Sequence, residues 1–543
     1  MLKKSIYFFL ILILILISCG KSKKYELKEN YVDKPVYGDI LIDSSIGEPA
    51  TLNPVLASDS ASQDIISLVF NGLVKFDENL NIIGDLAEKW DISKDGKIIT
   101  FYLKKGIKWH DGVEFTARDV KFTYDMFMAP DTKTAYRSLF EPIEKVEIVN
   151  DYELKVYYKF TFAPALQYWG TAIIPEHLLK GKDINTADFN RNPIGTGPYK
   201  FLNWKTSQQI ELIANKNYFE GEPYISKYIY RIIPDQSVQF MEMLAGGIDE
   251  MALTSELYVG KANEPEFLKN FNKYSISSFS YVYIGYNLLN ELFKSKNVRK
   301  ALSYAINKDE IIKGVKRGLA RKITGPFIPG SWAYNDNAES YDCNPEKAKQ
   351  ILKNDGWNLK EDGYLYKDGK RFEFILITNQ GNKEREEIAT IVQQQLGLIG
   401  IKVNIRILAW STLITEFIDK KKFDAIVLGW NISQDPDCYD IWHSSKTKEG
   451  EFNFISYKNE EVDRLVKQGR ETFDIEKRKA IYKKIHKIIA DDSPYTFLYS
   501  PLALPAVHKR FHGIKPALAG ISYNFTKWYV PKELQKYRVD IMK

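Results

Sequence analysis

Residues 39–43 (DILID) alternate apolar and polar side chains, which predicts a strand with one buried face. A Gly- and Pro-containing loop follows at 47–54. Ser60 with Gln63 three residues on has capping-box spacing and predicts a helix to about Asn71, with Gly72 as its stop. Residues 98–103 (IITFYL) and 152–158 (YELKVYY) read as strands, and Asp111-Gly112 as a turn. Thr116 with Asp119 predicts the start of a second helix, TARDVKFTYDMFM. Up to residue 285 these elements do not alternate strictly. Beyond it they become more regular. Residues 297–313 have helical spacing, 371–378 (RFEFILIT) read as a strand, and 383–396 as a helix ended by Gly397 and Gly400. A strand at 402–407 (KVNIRI), a short helix at 411–420 and a strand at 423–430 (FDAIVLGW) complete a β–α–β–α–β run. That order predicts an α/β unit with a largely parallel sheet.

The most apolar stretch, Ile6 to Ile17, follows Lys3 and Lys4. As a helix those residues span about 18 Å, well short of the roughly 30 Å of a bilayer core, so a secretory signal is expected rather than a membrane span. The alternative is an uncleaved signal anchor with an incidental cysteine. The run ends Leu16-Ile17-Ser18-Cys19-Gly20, which resembles the lipobox of bacterial lipoproteins. The resemblance implies that residues 1–18 are removed and that Cys19 is lipidated. Lys3 and Lys4 leave with them, so the remaining 525 residues carry a formal charge of +4 instead of +6. Residues 20–37 are polar, Lys-rich and aperiodic, and are expected to be a tether that spans about 60 Å when extended. No other segment approaches 18 consecutive apolar residues, so the body is expected to be soluble and extracytoplasmic, anchored through the lipid.

At 543 residues the chain exceeds one ordinary domain. Its 44% hydrophobic and 27% charged residues exclude general disorder and a polytopic membrane protein. Its small positive charge lacks the Arg-rich stripes of a nucleic-acid binder. Besides Cys19 only Cys343 and Cys438 occur, either bonded to each other or buried and free. The six histidines are scattered. His508 and His512 alone stand four apart, and they read as a surface pair rather than a metal site. Phosphate-loop, dinucleotide and nucleophile-elbow signatures are missing, and no cofactor or metal is expected. Gly195-Thr196-Gly197-Pro198 reads as a tight turn rather than an anion cradle, because Pro198 has no N–H to donate.

In open α/β sheets ligands bind beyond the carboxyl ends of strands, which points to the end of 423–430. There Gly429 and Trp430 lead into Asn431-Ile432-Ser433-Gln434-Asp435-Pro436-Asp437-Cys438-Tyr439-Asp440-Ile441-Trp442. Gly429 allows close backbone approach, Trp430 and Trp442 offer flat walls, and Asp435, Asp437 and Asp440 suit a cationic group such as a peptide α-amine. The competing reading, a helix-capping loop with its Trp side chains in the core, weighs about the same.

Several segments together resemble the family 5 extracellular solute-binding proteins of ABC importers, the group of oligopeptide- and dipeptide-binding lipoproteins. They are EPATLNPVLASDSASQDIISLVFNGLVKFDENL at 48–80, LAEKWDISKDGKIITFYLKKGIKWHDGVEFTARDVKFTYD at 86–125, PIGTGPYKF at 193–201, VRKALSYAINKDEI at 298–311 and GWNISQDPDCYDIWHS at 429–444. The resemblance implies an α/β fold of the type II periplasmic-binding-protein kind, with two lobes closing on a cleft. Three domains are implied: I at 38–74, 185–285 and 500–543, II at 75–184, and III at 286–499. It implies no enzyme activity and a monomer that binds a peptide, delivers it to ABC importer permease subunits and is held at a membrane through Cys19. By position, Ser58, Asp59 and Ser60 would line the cleft from domain I, and Gly429, Trp430 and Asn431 would face them from domain III. Both segments would pair with the ligand backbone. Tyr283, Trp410 and Tyr499 match cleft positions, with core packing as the alternative for each. Peptide-binding relatives carry an Asp for the ligand α-amine where this chain has Ser433, so Asp435 or Asp437 would have to replace it. The alternative ligand is a nickel chelate, haem or an oligosaccharide. An enzyme or adhesin on the same scaffold is the remote third reading.

Overall fold

The computed structural model describes residues 31–537. The signal segment, Cys19 and residues 20–30 lie outside the described residues. Residues 31–37, expected to belong to the tether, make contacts instead. Tyr529 Oη donates to Asp33 at 2.8 Å, and Tyr37 packs on Tyr224 at 4.9 Å between ring centres.

β1 (Gly38–Ser45) leads through a loop to α1 (Ser60–Val69). The N-cap is Asp59 rather than Ser60. Its carboxylate accepts from the Ser62 amide at 3.0 Å, and a charged acceptor at this position also favours the positive end of the helix. The helix stops at Val69, before the expected Asn71. Gly72 has a steric role, since a Cβ there would meet the Gly170 carbonyl oxygen at 2.5 Å.

The chain then forms β2 (Ala87–Ile92), β3 (Ile98–Leu103), α2 (Ala117–Met128), β4 (Ile143–Asn150) and β5 (Glu153–Tyr158). The strands make an antiparallel sheet in the order β2-β3-β5-β4. The Thr116–Asp119 capping box is formed as expected, and Ile99, Phe101 and Leu103 point into the core as the alternation of β3 requires. Next, β6 (Tyr199–Lys205), β7 (Gln209–Ala214) and β8 (Ile225–Ile232) join β1 in the order β1-β8-β7-β6, with β1 and β8 parallel. The Gly195–Pro198 turn packs under the end of α1. Gly197 N–H donates to the Val69 carbonyl at 2.8 Å, and a Cβ on Gly195 would lie 1.8 Å from that oxygen. The amide is therefore spent on a helix end, as a structural turn demands. One apolar core, running from Leu41 through Phe101 and Tyr199 to Trp528, joins the two sheets into a first lobe.

The second lobe is built on β9 (Ser280–Tyr286), β10 (Glu373–Asn379), β11 (Lys402–Leu408), β12 (Ala425–Asn431) and β13 (Tyr495–Ala503). Their order in one mixed sheet is β13-β9-β12-β10-β11, with two short segments added on β13. The predicted β–α–β–α–β run is parallel, β10 pairing in parallel with both β11 and β12. β9 and β13 run antiparallel, so the whole sheet is less parallel than expected. The helical stretch at 297–313 divides into α3 (Lys296–Ala305) and α4 (Lys308–Gly314), because Asn307 caps the second by accepting from the Glu310 amide at 3.0 Å. α5 (Lys383–Gly397) matches its prediction, while 411–420 is a single turn at Trp410–Thr412 that widens into a π-helical segment, Leu413–Ile418. Such widened turns recur at functional sites. α6 (Glu460–Glu471) and α7 (Ile475–Asp492) complete the lobe. Separate apolar clusters cover the two faces of the sheet, which explains the continuous apolar stretch Ala425–Leu428 in FDAIVLGW.

Cys343 is exposed and Cys438 buried, and both are free, so only one of the two is in a core. His508 is not a surface residue: it is buried, with its ring edge-on to Phe271 at 5.1 Å. Among the described residues no group of three His, Cys, Asp or Glu is placed to hold a metal ion, and no helix is long and apolar enough to cross a membrane.

Candidate functional site

A cavity of about 690 Å³ lies between the lobes. The first lobe contributes Ser58, Asp59, Ser60, Tyr136 and Tyr168. The second contributes Trp410, the 428–442 segment and Tyr499. Clefts that enclose small ligands span roughly 300–1,000 Å³.

β12 is the central feature. It outruns β10, with which it pairs only at Ala425 and Ile426, so its far end is flanked on one side alone, by β9. Ile432 N–H donates to the Phe279 carbonyl at 2.8 Å. Backbone groups in an antiparallel pair alternate sides, so residues 428, 430 and 432 turn theirs toward β9. Gly429 and Asn431 therefore turn their N–H and C=O groups to the open edge beside the cavity. This edge can accept an extended backbone as an added strand.

Trp430 lies half-buried at this edge, its indole N–H 3.3 Å from Tyr495 Oη and its ring 5.4 Å from Phe452. Tyr136 of the first lobe meets Phe452 edge-on at 5.2 Å, so one wall of the cavity is aromatic and crosses the gap. Trp410 also crosses it. Its indole N–H lies 3.4 Å from Asp59 Oδ1, and its ring covers Gly47, where a Cβ would approach to 2.9 Å.

Tyr283 is a correction. It is fully buried and stacked on Tyr495 at 3.9 Å, away from the cavity. Trp442 borders the cavity but is wholly shielded from solvent, packed on Tyr457 and Tyr495, so it supports the wall from behind. Tyr499 is likewise almost fully buried at the margin.

The acidic loop also departs from its expected role. Asp435 is held by both terminal nitrogens of Arg478 at 2.8 and 3.0 Å. Asp437 accepts from Arg470 Nε at 2.7 Å and from the Tyr168 hydroxyl. Both candidate amine anchors are thus neutralised by arginines of α6 and α7. What they do is join the lobes. The Arg470 guanidinium donates to the Ser138 carbonyl at 3.3 Å, and the Arg470 main-chain carbonyl accepts from the Ala163 amide at 2.7 Å. Burial opposes its charge, but Asp437, Tyr168 and Asp440 outweigh burial and raise its pKa. Asp440, pushed up to about 6 mainly by burial, accepts from the Ser138 hydroxyl. Gln167 donates to Ser433 Oγ at 2.9 Å and accepts from the Asp435 amide at 3.2 Å. Ser433 thus serves as a contact between lobes.

Sequence reasoning overlooked Arg385. It follows the N-cap Asn382 in the first turn of α5 and reaches the cavity behind Gly429. One nitrogen donates to Asn379 Oδ1 at 2.8 Å. Among the described residues no carboxylate lies within ion-pair distance of it, and burial lowers its pKa. The strand-end rule that selected 429–442 selects this position too, once applied to β10. Tyr136, Tyr168 and Asp419 gave no local signal, because they meet the cavity only through the packing of the lobes.

The pattern of the bacterial extracellular solute-binding proteins, family 5 (middle region), matches residues 81–452. The chain is 39% identical over 536 residues to the oligopeptide-binding protein AppA of Bacillus subtilis, covering 96% of this chain and 97% of AppA. The structure of that AppA in complex with a nonapeptide superposes with a TM-score of 0.88 over 92% of this chain and all of the other. NikZ of Campylobacter jejuni in complex with Ni(L-His) is 31% identical, with a TM-score of 0.83 over 90% of this chain and 99% of its own. DppA of Helicobacter pylori in complex with the peptide STSA is 26% identical, also with a TM-score of 0.83, over 92% and 99%.

Proposed function

The chain belongs to the family 5 bacterial extracellular solute-binding proteins, and from that premise we propose that it captures oligopeptides between its lobes and hands them to the permease of an ABC importer. The observation that carries this reading is the open edge of β12 at Gly429 and Asn431, set inside the aromatic-walled cavity between the lobes. Backbone groups are common to all peptides, so pairing to this edge holds many sequences. Each such hydrogen bond nets only about 1 kcal/mol, so several must act together. Ser58, Asp59 and Ser60 face the edge as the opposite wall, with Trp410, Trp430 and Tyr499 around it. Asp435 and Asp437 serve the closed arrangement of the lobes rather than ligand charge, and Trp442 backs the cavity wall. Arg385 is the group we assign to a ligand carboxylate.

The wider organisation belongs to the same reading. The β2–β5 sheet falls within domain II (75–184), β1 and β6–β8 within domain I, and most of the mixed sheet within domain III (286–499). Lipidation at Cys19 and delivery as a monomer at the outer face of a bacterial membrane complete it. Likeness to a nickel–histidine binder keeps a chelate as the competing solute, but no histidine lines the cavity among the described residues.

Calorimetric melting of the mature chain tests the reading. A ligand that binds only the folded state at a hundred times its Kd stabilises by about 2.7 kcal/mol. A nonapeptide pool should raise the melting temperature in a concentration-dependent way, whereas free amino acids and oligosaccharides should not. A response to the sugars alone would reject the peptide assignment.

A further inference from the structure

The cavity lining is rich in carboxylates. Among the described residues eight carboxyl side chains line it and a single basic one, Arg385. Three are neutralised by cations behind the wall: Asp435 by Arg478, Asp437 by Arg470, and Glu384 by Lys316 at 2.7 Å. Of the rest, Asp59 is engaged by Ser62 and Trp410, and Asp64 accepts from Tyr230 Oη at 3.2 Å. Asp440 accepts from Ser138, and Glu451 from the Lys448 amide at 2.7 Å.

Asp419 is different. It ends the π-helical segment 413–418, and its main chain is fixed by bonds to Ile414 and Gly450, but no described group bonds its carboxylate. Its surroundings are hostile to a bare charge. Burial, then Glu449 and Asp59, push its pKa up to about 6, and only Lys420 acts the other way. Ile414, Ile418 and Phe452 of the same lining are apolar, and Tyr136 and Trp410 add aromatic faces that favour a cation. A half-buried carboxylate without a partner, beside a second carboxylate and rings, lacks one component, which is a positive charge.

Resting on the peptide reading above, we propose that Asp419, with Asp59 beside it, receives a cationic group of the bound peptide and so selects for cationic ligands. This places the cation site elsewhere than the 433–437 loop, whose acids are already paired. The group is either the peptide α-ammonium or the head of a Lys or Arg side chain, which share the charge and donors that the site lacks.

Three nonapeptide pools separate the possibilities: one of uncharged residues with a free α-amine, one of uncharged residues N-acetylated, and one N-acetylated and uncharged except for a single Lys. Binding is measured by titration calorimetry on the mature wild-type chain and on Asp419→Asn, with Asp419→Ala as a second variant and melting curves as the check on folding. At least one cationic pool should bind the wild type about tenfold or more tighter than the acetylated neutral pool, and whichever pool does so identifies the source of the charge. Asp419→Asn should remove that preference while leaving the acetylated neutral pool unchanged. Equal binding of all three pools by the wild type, or an equal loss for all three in the variants, overturns the inference while leaving peptide capture intact. Failure of every pool to bind overturns peptide capture itself and this inference with it.

Discussion

Truncating Arg470 to Ala is expected to destabilise the protein by about 3–5 kcal/mol, the usual cost of leaving one member of a buried ion pair unpaired. The Arg470 and Asp437 side chains are 5% and 1% exposed, so neither charge can fall back on water. The loss extends beyond the pair. The Arg470 guanidinium packs 4.0 Å from the Tyr439 ring and bonds the Ser138 carbonyl of the opposite lobe, and Asp437 is the acceptor for Tyr168. Replacing both partners by apolar residues of similar volume, Arg470→Met with Asp437→Leu, removes the orphaned charge and should cost much less than the single change. Denaturant unfolding followed by tryptophan fluorescence measures both. Similar losses in the single and double variants would show that the ion pair is not what joins the lobes here.

The second large effect concerns ligand affinity. Arg385→Ala should weaken binding of peptides with a free C-terminus by about 2–5 kcal/mol, the range for truncating one partner of a desolvated charge pair. That is roughly thirtyfold or more in Kd. Burial lowers the pKa of this guanidinium, and among the described residues its side-chain partner is the neutral Asn379, so a ligand carboxylate would relieve a penalty already built into the cavity. Amidating the peptide C-terminus should mimic the mutation, and applying both should cost little more than either alone, since they remove the same contact. Titration calorimetry with acid and amide forms of one peptide gives the comparison. Amides that bind the wild type as tightly as acids would remove Arg385 from this role.

Much of the second lobe was legible in the chain because its signals are local. The alternation in KVNIRI and the apolar stretch within FDAIVLGW place β11 and β12 within a residue or two, and the end of β12 does open on the cavity. The first lobe yielded β3 and the Thr116 cap for the same reason. What stayed hidden depends on contacts between residues far apart in sequence. Asp435 and Asp437 read as free anions because Arg470 and Arg478 lie more than thirty residues away, on helices whose packing no spacing rule reveals. Tyr283 and Trp442 read as walls because an aromatic side chain has the same pattern whether it faces a cavity or the core beneath it. The break between α3 and α4 turned on a single cap at Asn307, which helical periodicity outweighs over a short window.

We propose that the cavity between the lobes holds peptides by their backbones. Native mass spectrometry of the mature protein, purified without denaturation from its own cells, tests it most directly. The expected adducts fragment into a mixture of peptides of differing sequence, enriched in Lys or Arg or in free N-termini. A single adduct with the mass of a metal chelate, a haem or an oligosaccharide, with no peptide present, would contradict it.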